Sequence, residues 1–203
     1  MRERIVAYFD TLAGAIRDTA VTDQSGQDIG LERGFEIVRS LAHKSHDRGN
    51  KLIFIGNGGS QGISSHLAID FSKNGGLRAL AFTDAAALTC LGNDLGYENV
   101  FAKQIEFHAR TGDLLIAISS SGNSPNIING VSAARSRGCQ VVSFSGFKAD
   151  NKLRRLGDVN FYVSSPEYGF VEVAHLALCH AILDLDMGWN PGLANKQPEL
   201  QKA

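Results

Sequence analysis

The sequence predicts an α/β fold: a doubly wound, five-stranded parallel sheet flanked by helices, with an N-terminal helical pair. Three observations carry this. Five short apolar runs, at 51–55, 79–83, 114–119, 141–145 and 159–163, alternate with stretches long enough for crossover helices. The runs are almost continuously apolar, as strands are when helices cover both faces of a parallel sheet. The first and third end in loops dense in glycine, asparagine and serine, and an open parallel sheet binds its ligand beyond the carboxyl ends of its strands.

Along the chain, Ile5, Phe9, Leu12 and Ile16 recur at spacings of three and four, which predicts a helix over 2–19; a second is expected over 30–48, with 24–30 between them. The pair is expected to pack as an appendage on the sheet or on a neighbouring subunit. Crossover helices are expected near 60–73, 85–91, 97–109, 124–137 and 167–187. The tail after Trp189 is expected to be loose or docked on a partner chain. We expect one domain over 1–203: helices to 50, the α/β core over 51–188, and a tail over 189–203.

Composition narrows the partners. With 43% apolar and 20% charged residues and a net charge of -1, nothing steers the chain toward nucleic acid. No apolar run approaches the length of about 18 residues that a membrane span needs, and no leader pattern opens the chain, so a cytoplasmic protein without membrane contact is expected. Cys90, Cys139 and Cys179 are odd in number and far apart, which argues against disulfides or a cysteine zinc site; all three are expected to be small buried hydrophobes.

The loop after the third run reads Ser119-Ser120-Ser121-Gly122-Asn123-Ser124-Pro125 and opens a helix. Hydroxyls of Ser119, Ser121 and Ser124 can donate to anionic oxygens, Gly122 permits a tight turn, and the helix start adds free N–H groups and a positive dipole end. Ser124-Pro125 equally fits an ordinary N-cap. The loop after the first run, Gly56-Asn57-Gly58-Gly59-Ser60, is neither a dinucleotide fingerprint nor a P-loop, so no nucleotide is implied; it suits close backbone approach to a polyol.

Titratable groups lie on two helices. His66 and Asp70 are four apart, on one face; Glu172 and His180 are eight apart, within one broad face. His66–Asp70 also fits a plain helix-face pair, and His180, near Leu178, Ile182 and Leu183, a core histidine. Asp84 suits a helix cap, and His175 suits internal packing. His43, His46 and His108 read as surface or interface residues, and Arg135, Arg137, Arg154 and Arg155 as solvated faces.

The two loops, with Gly92-Asn93-Asp94 and the helix holding His175 and His180, resemble the sugar isomerase (SIS) domain, and within it the phosphoheptose isomerases, over about 35–188. The resemblance implies a flavodoxin-like sandwich, a homotetramer with active sites at subunit interfaces, and conversion of sedoheptulose 7-phosphate to a heptose 7-phosphate. It implies Asp70 and His180 as the acid–base pair. Asn57, Gly58, Gly59, Asn93, Asp94 and Glu172 would contact substrate, and Ser119, Ser120, Ser121 and Ser124 would hold the phosphate. It also implies Zn2+, one per site, on His66, Asp70, Glu172 and His180. The chain departs from the family pattern, which has Glu at Asp70, Gln at Glu172 and an arginine in the segment Lys73-Asn74-Gly75-Gly76. Two alternatives are an isomerase of another phosphosugar and a non-catalytic scaffold or sensor for a protein partner such as a replication initiator.

Overall fold

The computed structural model describes residues 1–192. Helix α1 (Arg2–Arg17) leads into a short strand, β1 (Ala20–Asp23), followed by α2 (Gly30–Asp47). Strands and helices then alternate through β2 (Leu52–Gly56), α3 (Gly59–Lys73), β3 (Ala79–Ala81), α4 (Ala85–Leu95), a 3-10 turn at Tyr97–Asn99, α5 (Val100–His108), β4 (Leu114–Ser119), α6 (Pro125–Ser136), β5 (Gln140–Gly146), β6 (Val159–Val163) and α7 (Tyr168–Asp186). The sheet order is β1-β6-β5-β4-β2-β3, with β1 antiparallel to β6 and every other pairing parallel. The chain moves outward in opposite directions from β2 and β4, so the loops after these two strands part and leave a crevice.

The sheet has six strands where the sequence predicts five. The extra one, β1, carries only Ala-Val-Thr-Asp, too short to show a period between two helices. Its Asp23 turns the chain: Oδ1 accepts from the Ser25 N–H at 2.8 Å, the Ser25 hydroxyl at 2.6 Å and the Gln27 N–H at 3.0 Å. Val21 of this strand is fully buried in the cluster that also holds Val38 of α2 and Phe161 of β6.

That cluster corrects a second expectation, because α2 is a layer of the core and not an appendage. Gly34 lets it approach the sheet: a Cβ there would stand 2.6 Å from Val21 Cγ1 and 3.2 Å from Phe161 Cζ. Only α1 fits the expectation. It buries no residue fully, and its Tyr8 ring lies 4.7 Å from that of Phe170 on α7.

Helices α2, α3 and α7 cover one face, where Phe54, Ile116 and Phe144 point; α5 and α6 cover the other, facing Ile53, Ile55 and Leu115. Each fully buried Phe, Ile or Leu stabilises the fold by roughly 1.5–3 kcal/mol. By length and composition α7 could cross a membrane, but Val171, Ala174, Leu178, Cys179 and Ile182 turn its apolar side into the sheet core. At the amino edge of the sheet Asp113, wholly buried, accepts from Lys51 Nζ at 2.6 Å and from the N–H groups of Lys51 and Arg110.

Cys139 and Cys179 are buried as expected, but Cys90 is exposed on α4, its thiol pushed up by the hydrogen bond to Asp94 and that carboxylate's charge. Three arginines expected on solvated faces have partners: Arg135 grips Asp158 through two bonds of 2.8 and 2.9 Å, Arg137 Nη2 donates to the Glu106 carbonyl, and Arg154 stacks 4.3 Å over the Tyr162 ring. The tail predicted over 189–203 lies, from residue 193, outside the described residues.

Candidate active site

The candidate residues gather at two ends, one beyond the carboxyl ends of β2 and β4 and one further along α3 and α7. One is a cavity of about 110 Å³ lined by Asn57, Ser60, Ser119, Ser120, Ser121, Ser124, Tyr168 and Glu172. Local geometry explains why these hydroxyls are available. Gly122, at φ +61°, turns the loop so that its N–H donates to the Ser119 hydroxyl at 3.2 Å, and the Ser121 hydroxyl accepts from the Asn123 N–H at 3.3 Å. Ser124 takes the N-cap position of α6 with Pro125 following, but its hydroxyl makes no capping bond and stays free. Ser120 Oγ is buried with no partner among the described residues. A buried unpaired hydroxyl costs about 1–3 kcal/mol, which an anionic oxygen at the helix start would offset.

The other loop is held rigidly beside it. Asn57 donates to Asn126 Oδ1 at 2.9 Å, and Asn126 donates back to Asn57 Oδ1 at 2.8 Å. The Tyr97 hydroxyl also donates to Asn57 Oδ1, at 3.2 Å. With both lone pairs of that oxygen engaged, one N–H of Asn57 remains for a ligand. Gly58 takes φ +53° to start α3, and Gly59 is pressed so closely on the Glu172 carboxylate that a Cβ there would overlap it. Glu172 thus faces the amino-terminal end of α3.

The second end lies on α3 and α7. Asp70 Oδ2 sits between two imidazoles, 3.3 Å from His66 Nε2 and 3.8 Å from His180 Nδ1, while Asp70 Oδ1 accepts from Asn74 Nδ2 at 3.3 Å. The imidazole rings of His66 and His180 are 5.2 Å apart. One ligand atom from each of the three residues falls within 4.8 Å of the others, a spacing that suits one metal ion. Asp70 is mostly shielded, whereas the side chain of His66 is 52% exposed. Glu172 stands apart from this group, because eight residues of α7 place it about 12 Å from His180 along the helix axis.

Asn93 and Asp94 bond to each other at 2.8 Å on the exposed face of α4, outside the cavity lining. The sequence predicts a helix ending near 91; α4 continues to Leu95, so both are helical. Asp84 caps α4 as expected, accepting from the Ala87 N–H at 2.8 Å. His175 packs internally, with Nε2 3.0 Å from the Ser145 carbonyl; burial lowers its pKa to about 4. Ser60 lines the cavity as its loop predicts, whereas Tyr97, Asn126 and Tyr168 carry no motif that marks them in the sequence. Asn126 offered a signal, as a polar residue in the first turn of α6 next to the serine motif.

The fold is shared with known proteins. A model of the SIS domain matches residues 30–146. The phosphoheptose isomerase of Solidesulfovibrio magneticus is 38% identical over 188 residues, covering 90% of this chain and 88% of that protein. That of Nitratidesulfovibrio vulgaris is 34% identical over 190 residues, covering 87% and 88%. Among solved structures, a phosphoheptose isomerase from Neisseria gonorrhoeae superposes with a TM-score of 0.80 at 31% identity, covering 93% of this chain and 99% of that one. With its switch-point loops, its serine-lined helix start and these relatives, the chain belongs to the SIS-domain family.

Proposed function

We propose that this chain is an aldose–ketose isomerase converting sedoheptulose 7-phosphate to D-glycero-D-manno-heptose 7-phosphate, with a single SIS domain running its length. The observation that carries the reading is Asp70 Oδ2 held between His66 and His180 in a chain that also carries a serine cavity at a helix start. The substrate follows from relatives, 34–38% identical, that are named phosphoheptose isomerases. The same names do not favour the non-catalytic scaffold or sensor.

Isomerisation removes a proton from C1 of the ketose and returns one to C2 through an enediol, so it needs a base and an acid within reach of adjacent carbons. Asp70 and His180 form that pair, and His66 orients the carboxylate. Ser119, Ser120, Ser121 and Ser124, with the first N–H groups of α6, take the phosphate. Asn57 and Glu172 take sugar hydroxyls, since a carboxylate repels the phosphate dianion.

His66, Asp70 and His180 fit zinc, as two imidazoles and one carboxylate with an open position. Bound there, zinc would polarise the carbonyl oxygen. Glu172, the fourth ligand the resemblance implies, is too far along its own α7 and reaches this set only from another chain. We therefore place the working site between subunits of a cytoplasmic homotetramer. The exposed Met1, Ile5, Val6 and Phe9 of α1 supply apolar surface for such assembly.

The test incubates the purified protein with sedoheptulose 7-phosphate, with and without zinc, and follows the product by NMR, alongside light scattering for mass. Conversion by a four-chain particle is expected. A folded tetramer that turns over nothing in either condition sinks the proposal.

A further inference from the structure

We infer that a pocket at the amino edge of the sheet binds a small phosphate-bearing anion, at a site separate from the serine cavity. The pocket has a volume of about 460 Å³, within the range of small-molecule sites, and is lined by Lys51, Ser72, Leu77, Arg78, Leu80 and Arg110 among others. Its two arginines converge on one acceptor. Arg78 Nη1 donates to the Gly49 carbonyl at 2.7 Å, and Arg110 Nη2 donates to the same oxygen. Arg110 is further fixed by Nε, which donates to Asn50 Oδ1 at 2.9 Å.

Two guanidiniums sharing a neutral carbonyl repel each other, and a nearby anion is the ordinary remedy. Among the described residues neither has one: the carboxylate lying closest in sequence, Asp113, is taken up by Lys51 at 2.6 Å and by backbone N–H groups. Each guanidinium keeps further N–H donors beyond the bonds to Gly49 and Asn50, and such forks match phosphate oxygens in geometry and charge. Leu77 and Leu80 give an apolar wall for an organic body attached to the phosphate. The five residues of β2 separate this pocket from the loop at Asn57 by about 17 Å, so one molecule does not reach both.

Binding is tested on the full chain by calorimetric titration with inorganic phosphate and, separately, with AMP as a phosphate ester carrying an organic body. The wild type is expected to show a class of phosphate sites that survives Ser119→Ala/Ser124→Ala and weakens about tenfold or more in Arg78→Gln/Arg110→Gln. The KM for sedoheptulose 7-phosphate should stay unchanged in the arginine variant. Tighter binding of AMP than of phosphate at this class assigns the apolar wall a role; equal binding leaves the site to the phosphate group alone, and both support it. Should the glutamine variant misfold, Arg78→Lys/Arg110→Lys keeps the charge and loses the fork, and an intermediate affinity is expected. A phosphate isotherm unaltered by the arginine changes, or one abolished entirely by the serine changes, overturns the inference. So does a smaller particle mass with an unaltered isotherm, which would give the pocket to a carboxylate of a neighbouring subunit.

Discussion

The serine cavity and the His66–Asp70–His180 group stand at two points of the same helix, α7, and are built on opposite terms. The cavity is finished within one chain: Ser119 and Ser120 are buried, Gly122 is locked in its turn, and Asn57 and Asn126 hold the walls by reciprocal bonds. The His66–Asp70–His180 group is open. His66 is half exposed, and the distances of 3.3 and 3.8 Å to Asp70 Oδ2 are longer than charge-assisted hydrogen bonds. In the proposed reaction a preformed phosphate anchor would fix one end of the substrate, and a loose acid–base pair would tighten when substrate, metal or a neighbouring chain arrives. On that proposal affinity falls to the first end and rate to the second.

His180→Ala should test this division most severely. It removes the group proposed to transfer the proton, and kcat should fall about 10²- to 10⁴-fold with KM little changed. A comparable rise in KM with kcat intact would return His180 to the role of a binding residue. At the other end, Ser119→Ala/Ser124→Ala removes two donors to a dianion. Its main effect should be on KM, raised about 10- to 100-fold, as steady-state kinetics with sedoheptulose 7-phosphate would show.

Between the two ends, His175 pins α7 to β5 through the Ser145 carbonyl and leaves Nδ1 buried without a partner among the described residues. Burial lowers its pKa from 6.5 to about 4, so the unfolded chain binds a proton that the folded chain refuses between those values. The folded state therefore gains stability as pH rises through this window and loses it as pH falls. Between pH 7 and 5 the loss from this one group is about 2 kcal/mol. His175→Phe should flatten that part of the pH–stability curve relative to the wild type in chemical denaturation, and an unchanged slope would refute the assignment.

How much of this was legible in the sequence depends on how local each feature is. The parallel strands announced themselves by continuous apolar runs such as Leu114-Leu115-Ile116-Ala117-Ile118, and the serine loop by composition. His66 and Asp70 could be paired because helical spacing is a local rule, and His180 joined them through the resemblance. β1 was lost because four residues carry no period, and its place is set by Phe161 and Val38, far away in sequence. The placing of α2 was lost for a related reason: Gly34 has meaning only against Val21 and Phe161. The distance from Glu172 to the metal group was in principle readable, since eight residues on a helix are two turns. A shared face does not make a shared site when an axial gap of about 12 Å separates the two residues.

The rigidity of the serine cavity's wall rests on Asn126. Asn126→Ala removes both amide bonds to Asn57 and leaves the Tyr97 hydroxyl alone on Asn57 Oδ1. Asn126 is 2% exposed, so the loss of its bonds should lower stability by about 1–3 kcal/mol. Asn57 would then be free to rotate, and KM should rise several-fold with kcat falling less than in His180→Ala. Asn126→Asp separates packing from hydrogen bonding: the carboxylate still accepts from Asn57 Nδ2 but cannot donate to Oδ1. If rigidity of this wall is what the phosphate end requires, Asp should recover part of the stability and little of the KM. Full recovery of both would mean that the volume of the side chain, and not the reciprocal pair, holds the loop in place.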